Sequence, residues 1–139
     1  MITGINHITL AVSDLAASIQ FYRDTLGCEL VSVHASGACF SAGGLWLCLS
    51  VDEHVAGQSR MDYTHVAFDI ASDDFAAFSE RLVNAGVSLW KRNCSEGQSL
   101  YFLDPDGHKL ELHVGSLATR LAAMQQRAGT ERTGVGCGC

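Results

Sequence analysis

The feature that most limits what this chain can fold into is an internal repeat. Residues 6–12 alternate, with Ile8, Leu10 and Val12 on one face and His7, Thr9 and Ala11 on the other. Residues 63–70 do the same, setting Thr64, Val66, Phe68 and Ile70 against Tyr63, His65, Ala67 and Asp69. Each strand leads into a helix. Ser13 or Asp14 can cap the first, which carries Leu15, Ile19, Tyr22 and Leu26 and stops at Gly27. Ser72 or Asp73 can cap the second, which carries Phe75, Phe78, Leu82 and Val83 and stops at Gly86. Further strands are predicted near 29–34, 38–42 and 45–51, and again near 87–91, 99–103 and 107–114. Alignment of the halves puts His7 over His65, Gly27 over Gly86 and Gly44 over Gly107, so the copies differ only by short insertions. Two β-α-β-β-β units explain this pattern better than one irregular domain.

An α+β fold follows. Each unit alone has a small core, and its sheet must bury one apolar face against something. The helix of each unit can cover that face. The opposite, more polar faces of the two sheets can then curve toward each other as a cup. The units span about 1–51 and 63–114 within a domain of residues 1–124, joined by a polar connection at 52–62. Leu117, Leu121 and Met124 predict a short helix over 116–126 that includes Arg120, and the Gly-rich remainder, 127–139, reads as a disordered tail. A hydrophobic fraction of 47% with 17% charged residues fits a packed core. The net charge of −6 offers no electrostatic case for nucleic acid or an anionic membrane as partner. No apolar run approaches the roughly 20 residues that cross a bilayer, and the N-terminus lacks a secretory layout, so a cytoplasmic protein is expected. The six cysteines form no CxxC pair and read as reduced thiols.

The faces turned away from the aliphatic core carry the chemistry. They hold His7, Thr9, Trp46, Cys48, His65, Tyr101, Lys109, Glu111 and His113. Glu111 stands out as an acid between Leu110 and Leu112. A single strand histidine is more often a surface or core residue than a ligand. Two at equivalent points of a repeat, with an acid at a third position, form a set suited to a divalent first-row metal with coordination sites left open. Open sites point to catalysis rather than structural support. Cys48 is the repeat equivalent of Glu111 and a possible fourth ligand, although a small buried filler is the more ordinary role for it. His113 is expected to orient a neighbour or face solvent, and His34, His54 and His108 are expected to be solvated. Lys91, Asn93, Ser95, Ser99, Tyr101 and Arg120 together describe either an anion pocket or a plain solvated loop.

Several blocks in order carry a resemblance. They are Asn6-His7-Ile8-Thr9-Leu10-Ala11-Val12, Leu45-Trp46-Leu47-Cys48-Leu49-Ser50, Asp62-Tyr63-Thr64-His65, Asn93-Cys94-Ser95-Glu96-Gly97, Tyr101-Phe102-Leu103-Asp104-Pro105-Asp106-Gly107-His108 and Leu110-Glu111-Leu112-His113-Val114-Gly115. Residues 1–124 resemble the vicinal oxygen chelate superfamily, and within it the manganese-dependent glutathione transferases that confer fosfomycin resistance. The resemblance implies Mn²⁺ held by His7, His65 and Glu111. It implies that Thr9, Trp46, Lys91, Ser95, Ser99, Tyr101 and Arg120 meet fosfomycin, with Thr9, Tyr63, Lys91, Tyr101 and Arg120 acting in the reaction. It further implies a K⁺ site at Asn93, Ser95, Gly97 and Ser99, glutathione as co-substrate, and a homodimer whose cups are completed across subunits. The chain departs from this pattern at Cys39, where relatives carry Tyr beside the glutathione cavity, at His34, and in its Gly/Cys ending. Three other functions remain open: a transferase using a different thiol, an Fe(II) extradiol dioxygenase, or a metal-free drug-binding module.

Overall fold

The computed structural model describes residues 1–94 and 96–130. The first half is β1 (His7–Val12), α1 (Leu15–Gln20) continued by a π-helical turn (Phe21–Thr25), β2 (Glu29–His34), β3 (Gly37–Ala42) and β4 (Leu45–Val51). A 3-10 turn (Glu53–Val55) opens the connection. The second half is β5 (Val66–Asp69), α2 (Ser72–Asn84), β6 (Leu89–Lys91), β7 (Gln98–Leu103) and β8 (Lys109–Val114), followed by α3 (Leu117–Thr130). One sheet has the order β1-β4-β3-β2 and the other β5-β8-β7-β6, so the repeat expected from sequence is present at the level of topology. In each sheet the first strand runs parallel to the fourth, and the remaining pairs are antiparallel.

Local chemistry explains most of the boundaries. The Asp14 carboxylate accepts the Ala17 amide at 3.0 Å and starts α1. Gly27 and Gly86 take φ of 76° and 77°, where a side chain would be strained, and each ends its helix. Three expectations need correction. α2 is capped by neither Ser72 nor Asp73: Ala71 holds the cap position without a side-chain hydrogen bond, and Asp73 and Asp74 lie in the first turn, where the helix dipole favours them. The first helix is not α throughout, because its last turn widens at residues 21–25, with the Leu26 amide donating to the Phe21 carbonyl at 3.0 Å. α3 runs on to Thr130, beyond the expected end at 126; the rest of the expected tail, 131–139, lies outside the described residues.

The two halves share one core. Val12, Tyr22, Phe40, Leu47 and Leu49 pack in the same cluster as Leu82, Phe102, Leu110 and Leu112. Burial of each such side chain stabilises the fold by about 1.5–3 kcal/mol before entropy is counted. A polar network runs alongside. The Ser13 amide and hydroxyl donate to the Asp106 carboxylate at 3.0 and 2.5 Å. The Tyr22 hydroxyl donates to Asp104 at 2.8 Å. His108 is not solvated as expected: it is buried, its Nδ1 lies 2.8 Å from Asp104, and an Arg60 nitrogen lies 2.7 Å from its Nε2. The Asp-Pro-Asp-Gly turn therefore fastens the second half to the helix of the first. His34 and His54 are exposed, as expected.

Candidate functional site

Glu111 sits in the middle of β8, paired with Ala67 of β5 on one side and Tyr101 of β7 on the other. That central position buries it, to 6% exposure, on the sheet face away from the aliphatic core. A buried carboxylate needs partners. The Ser99 hydroxyl donates to its Oε1 at 2.7 Å, and His65 Nε2 lies 3.0 Å from its Oε2. The Ser99 hydroxyl also lies 2.8 Å from His113 Nδ1, which is 3.4 Å from Glu111 Oε1. His113 thus orients Ser99 and Glu111, one of the two roles expected for it.

His65 stands just before β5. The Asp62 carboxylate accepts the Thr64 amide at 2.9 Å, which shapes the approach and holds Asp62 below its usual carboxyl range. The His65 Nδ1–H donates to the Tyr63 carbonyl at 3.0 Å. That contact points Nε2 toward Glu111, the orientation a metal-ligating imidazole requires. His7 has Nδ1 2.8 Å from Asn6 Oδ1 and its ring 4.8 Å from Trp46.

An aromatic and cationic wall adjoins the pair. A register irregularity between Leu89 and Lys91 brings Lys91 opposite Tyr101. Its ammonium lies over the Tyr63 ring at 4.6 Å and the Tyr101 ring at 5.0 Å, and it donates to the Tyr63 hydroxyl. Trp90, which the sequence reading missed, packs 5.3 Å from Tyr101 and 5.7 Å from Tyr63. Alternation along β6 could have placed it beside Lys91. Tyr63, His65, Tyr101, Glu111, His113 and Arg120 line one cavity of about 370 Å³. Arg120 reaches into it from α3, 3.9 Å from Glu96. A larger hollow of about 680 Å³ lies elsewhere between the halves, walled by residues such as Phe68, Phe78 and Arg81, and holds none of these groups.

The other expected residues fall elsewhere. His7, Thr9, Trp46 and Cys48 lie on β1 and β4 of the first sheet. Cys48 faces Cys39, sulfur to sulfur at 3.7 Å. Among the described residues no three His, Cys, Asp or Glu side chains gather where they could hold a metal. The expectation that the polar sheet faces of one chain would meet around His7, His65 and Glu111 is therefore corrected: a single chain assembles His65 and Glu111 without His7. Of the expected cation loop, Asn93 donates to the Gly97 carbonyl at 3.0 Å, Ser99 is engaged with Glu111, and Ser95 lies outside the described residues. At Gly97, φ is 77° and an added Cβ would stand 2.5 Å from the Val114 carbonyl oxygen, so only glycine fits.

Comparison with known proteins matches this geometry to a family. Residues 4–112 match the Glyoxalase/Bleomycin resistance protein/Dioxygenase superfamily. The chain is 54% identical to glutathione transferase FosA of Serratia marcescens over 91% of its own length and 92% of that protein's. It is 43% identical to metallothiol transferase FosB of Staphylococcus haemolyticus, covering 88% of this chain and 91% of the relative. The fosfomycin resistance protein FosX of Listeria monocytogenes, solved as a mutant with Mn(II) and 1S,2S-dihydroxypropylphosphonic acid, superposes with a TM-score of 0.75. That match has 33% identity and covers 88% of this chain and 99% of the other. The repeat, the paired sheets and these likenesses establish that the chain belongs to the Glyoxalase/Bleomycin resistance protein/Dioxygenase superfamily, on the branch of the Fos transferases.

Proposed function

We propose that this protein inactivates fosfomycin by adding the thiol of glutathione to its epoxide, and so confers resistance, acting in the cytoplasm as a homodimer. One observation carries the reading: in a chain 54% identical to a glutathione transferase, Tyr63, Tyr101 and Arg120 line the cavity of the His65–Glu111 pair, and Lys91 lies over the two tyrosine rings. The donor set fits a divalent cation, because an imidazole Nε2 and a carboxylate oxygen already lie 3.0 Å apart, each oriented by a hydrogen bond on its other side. His65 and Glu111 of one subunit and His7 of another would hold Mn²⁺, which as a Lewis acid would draw charge from the ring oxygen. K⁺ is assigned to the loop of Asn93, Ser95, Gly97 and Ser99.

Lys91 and Arg120 would bind and offset the phosphonate, so that an anionic thiolate can approach. Thr9 and Trp46 are assigned to the same cavity from the partner's first sheet, with Ser95 and Ser99 at the phosphonate end. The Tyr63 hydroxyl accepts from Lys91, leaving its own proton to orient the incoming sulfur. As the sulfur–carbon bond forms, one epoxide carbon–oxygen bond breaks, and the thiol's proton ends on the new hydroxyl.

Incubation of the protein with fosfomycin, glutathione, Mn²⁺ and K⁺, followed by mass spectrometry, tests the proposal. The expected product is fosfomycin plus one glutathione. Addition only of cysteine or bacillithiol would move the reading to another thiol, and a diol product would make water the nucleophile. Binding without turnover would reduce it to sequestration, and O₂ uptake with catechols would replace it with dioxygenase chemistry.

A further inference from the structure

β3 and β4 run antiparallel, and in their register Cys39 stands directly opposite Cys48. Directly opposed residues in such a pair have Cα atoms roughly 4.5–5.5 Å apart, inside the span of about 4.4–6.8 Å that a disulfide bridges. The two sulfurs are 3.7 Å apart, and both cysteines are free thiols and only half-buried. Side-chain rotation alone must shorten that distance to about 2.0 Å, with the strands left in place. The surroundings make the two thiols unequal. Hydrogen bonds from Trp46, then from Cys48 and Ser32, hold the Cys39 thiol below its ordinary range. Burial, followed by the bond with Cys39, pushes Cys48 up. Cys39 also opens into a cleft of about 290 Å³ walled by Val31, Leu45 and Trp46, which gives a small reagent access to its sulfur. The acidic thiol is thus the one that a reagent can reach, and the less acidic one waits behind it.

We propose that Cys39 and Cys48 are a redox-active dithiol: a low-molecular-weight disulfide thiolates Cys39, and Cys48 resolves the adduct into a cross-strand cystine. The Cys39 thiolate attacks one sulfur of the reagent, whose S–S bond breaks, and the first small thiol leaves with the proton Cys39 gave up. The Cys48 thiolate then attacks the Cys39 sulfur, and the second small thiol leaves with the proton from Cys48. Two protein thiols are oxidised and one small disulfide is reduced to two thiols. The cystine ties β3 to β4 beside Trp46, and it is read from the mass of the peptide, without any turnover at the His65–Glu111 cavity.

The full chain is equilibrated over a range of glutathione to glutathione disulfide ratios, acid-quenched, alkylated and digested with trypsin. Cys28, Cys39 and Cys48 fall in one tryptic peptide, since no Lys or Arg lies between Arg23 and Arg60. Under oxidising ratios that peptide is expected to lose two hydrogen atoms and to be alkylated only at Cys28. In Cys48→Ser the expected product is a glutathionyl group that stays on Cys39, and in Cys39→Ser the Cys48 thiol remains open to alkylation at every ratio. The proposal is overturned if wild-type Cys39 and Cys48 both stay alkylated throughout, if the bridge forms to Cys28 instead, or if wild type keeps an unresolved adduct.

Discussion

Ser99 has a single hydroxyl and two neighbours to serve, Glu111 Oε1 at 2.7 Å and His113 Nδ1 at 2.8 Å. It fixes which carboxylate oxygen faces His65, so it would act on a bound metal through Glu111. Ser99→Ala should leave the fold intact and weaken Mn²⁺ affinity by about 10- to 100-fold, the usual effect of removing a partner of a ligand. Calorimetric titration reads this directly, and an unchanged affinity would remove Ser99 from that role. Lys91 works through the two tyrosines that line the cavity. Its ammonium lies over two tyrosine rings, and a dianion placed there gains a charge-assisted contact of about 1.5–3 kcal/mol. Lys91→Ala should therefore raise the Kd for fosfomycin by roughly 10- to 100-fold with Mn²⁺ affinity nearly unaltered; a reversed pattern would assign Lys91 to the metal. Glu111 and His65 could be read from the sequence because the alternating pattern sets them opposite the aliphatic residues, where an acid between leucines is conspicuous. His108 could not. A histidine in a turn carries no periodicity, and its burial depends on Asp104 and Arg60, the latter brought in from the linker.

The elements most at variance with simple periodicity meet at one buried carboxylate. Asp104 accepts from the Tyr22 hydroxyl, the His108 ring, and the amides of Asp106 and His108, at 2.7–3.0 Å. The π-helical turn delivers Tyr22 to it, and residue spacing alone signalled only an ordinary helix. Asp104→Ala would strand a buried hydroxyl and imidazole, and should lower unfolding stability by about 3–5 kcal/mol in urea denaturation. A loss below about 1 kcal/mol would show the network to be incidental. Alkaline pH probes the same contact without mutation. Burial first, and then the Asp104 charge, raise the Tyr22 hydroxyl well above its ordinary value of 10.0. The unfolded chain releases that proton near pH ~10 while the folded chain keeps it. The stabilisation is therefore complete below about pH 10 and declines as pH rises further. Burial also raises the Cys28 thiol, which adds an earlier decline that starts near its ordinary value of 9.0. Urea midpoints across this range should fall in two stages, and Tyr22→Phe should remove the later one; an identical profile in the variant would refute the assignment.

At the scale of the molecule, the repeat was legible because each unit has to bury one sheet face, and the same solution appears twice in the hydrophobic pattern. The partner of each polar face was not. Periodicity places His7 and His65 at equivalent points, but it does not say whether the two imidazoles meet within a chain or between chains. In the folded chain His65 lies against Glu111, while His7 lies against Trp46 on the other sheet. A centre that needs all three residues must then draw His7 from a second copy, and two-fold pairing would build two such centres at once. This arrangement makes a specific genetic prediction. His7→Ala and Glu111→Ala should each abolish metal-dependent turnover alone. When the two variants are co-expressed, the mixed dimer contains one cup with both lesions and one cup with none. Random pairing makes half the dimers mixed, so about a quarter of wild-type activity should return. If the three ligands instead came together within one chain, every cup would carry a lesion in either partner and no activity would return. Differently tagged copies and tandem purification isolate the mixed dimer, where the recovered fraction should rise to about one half.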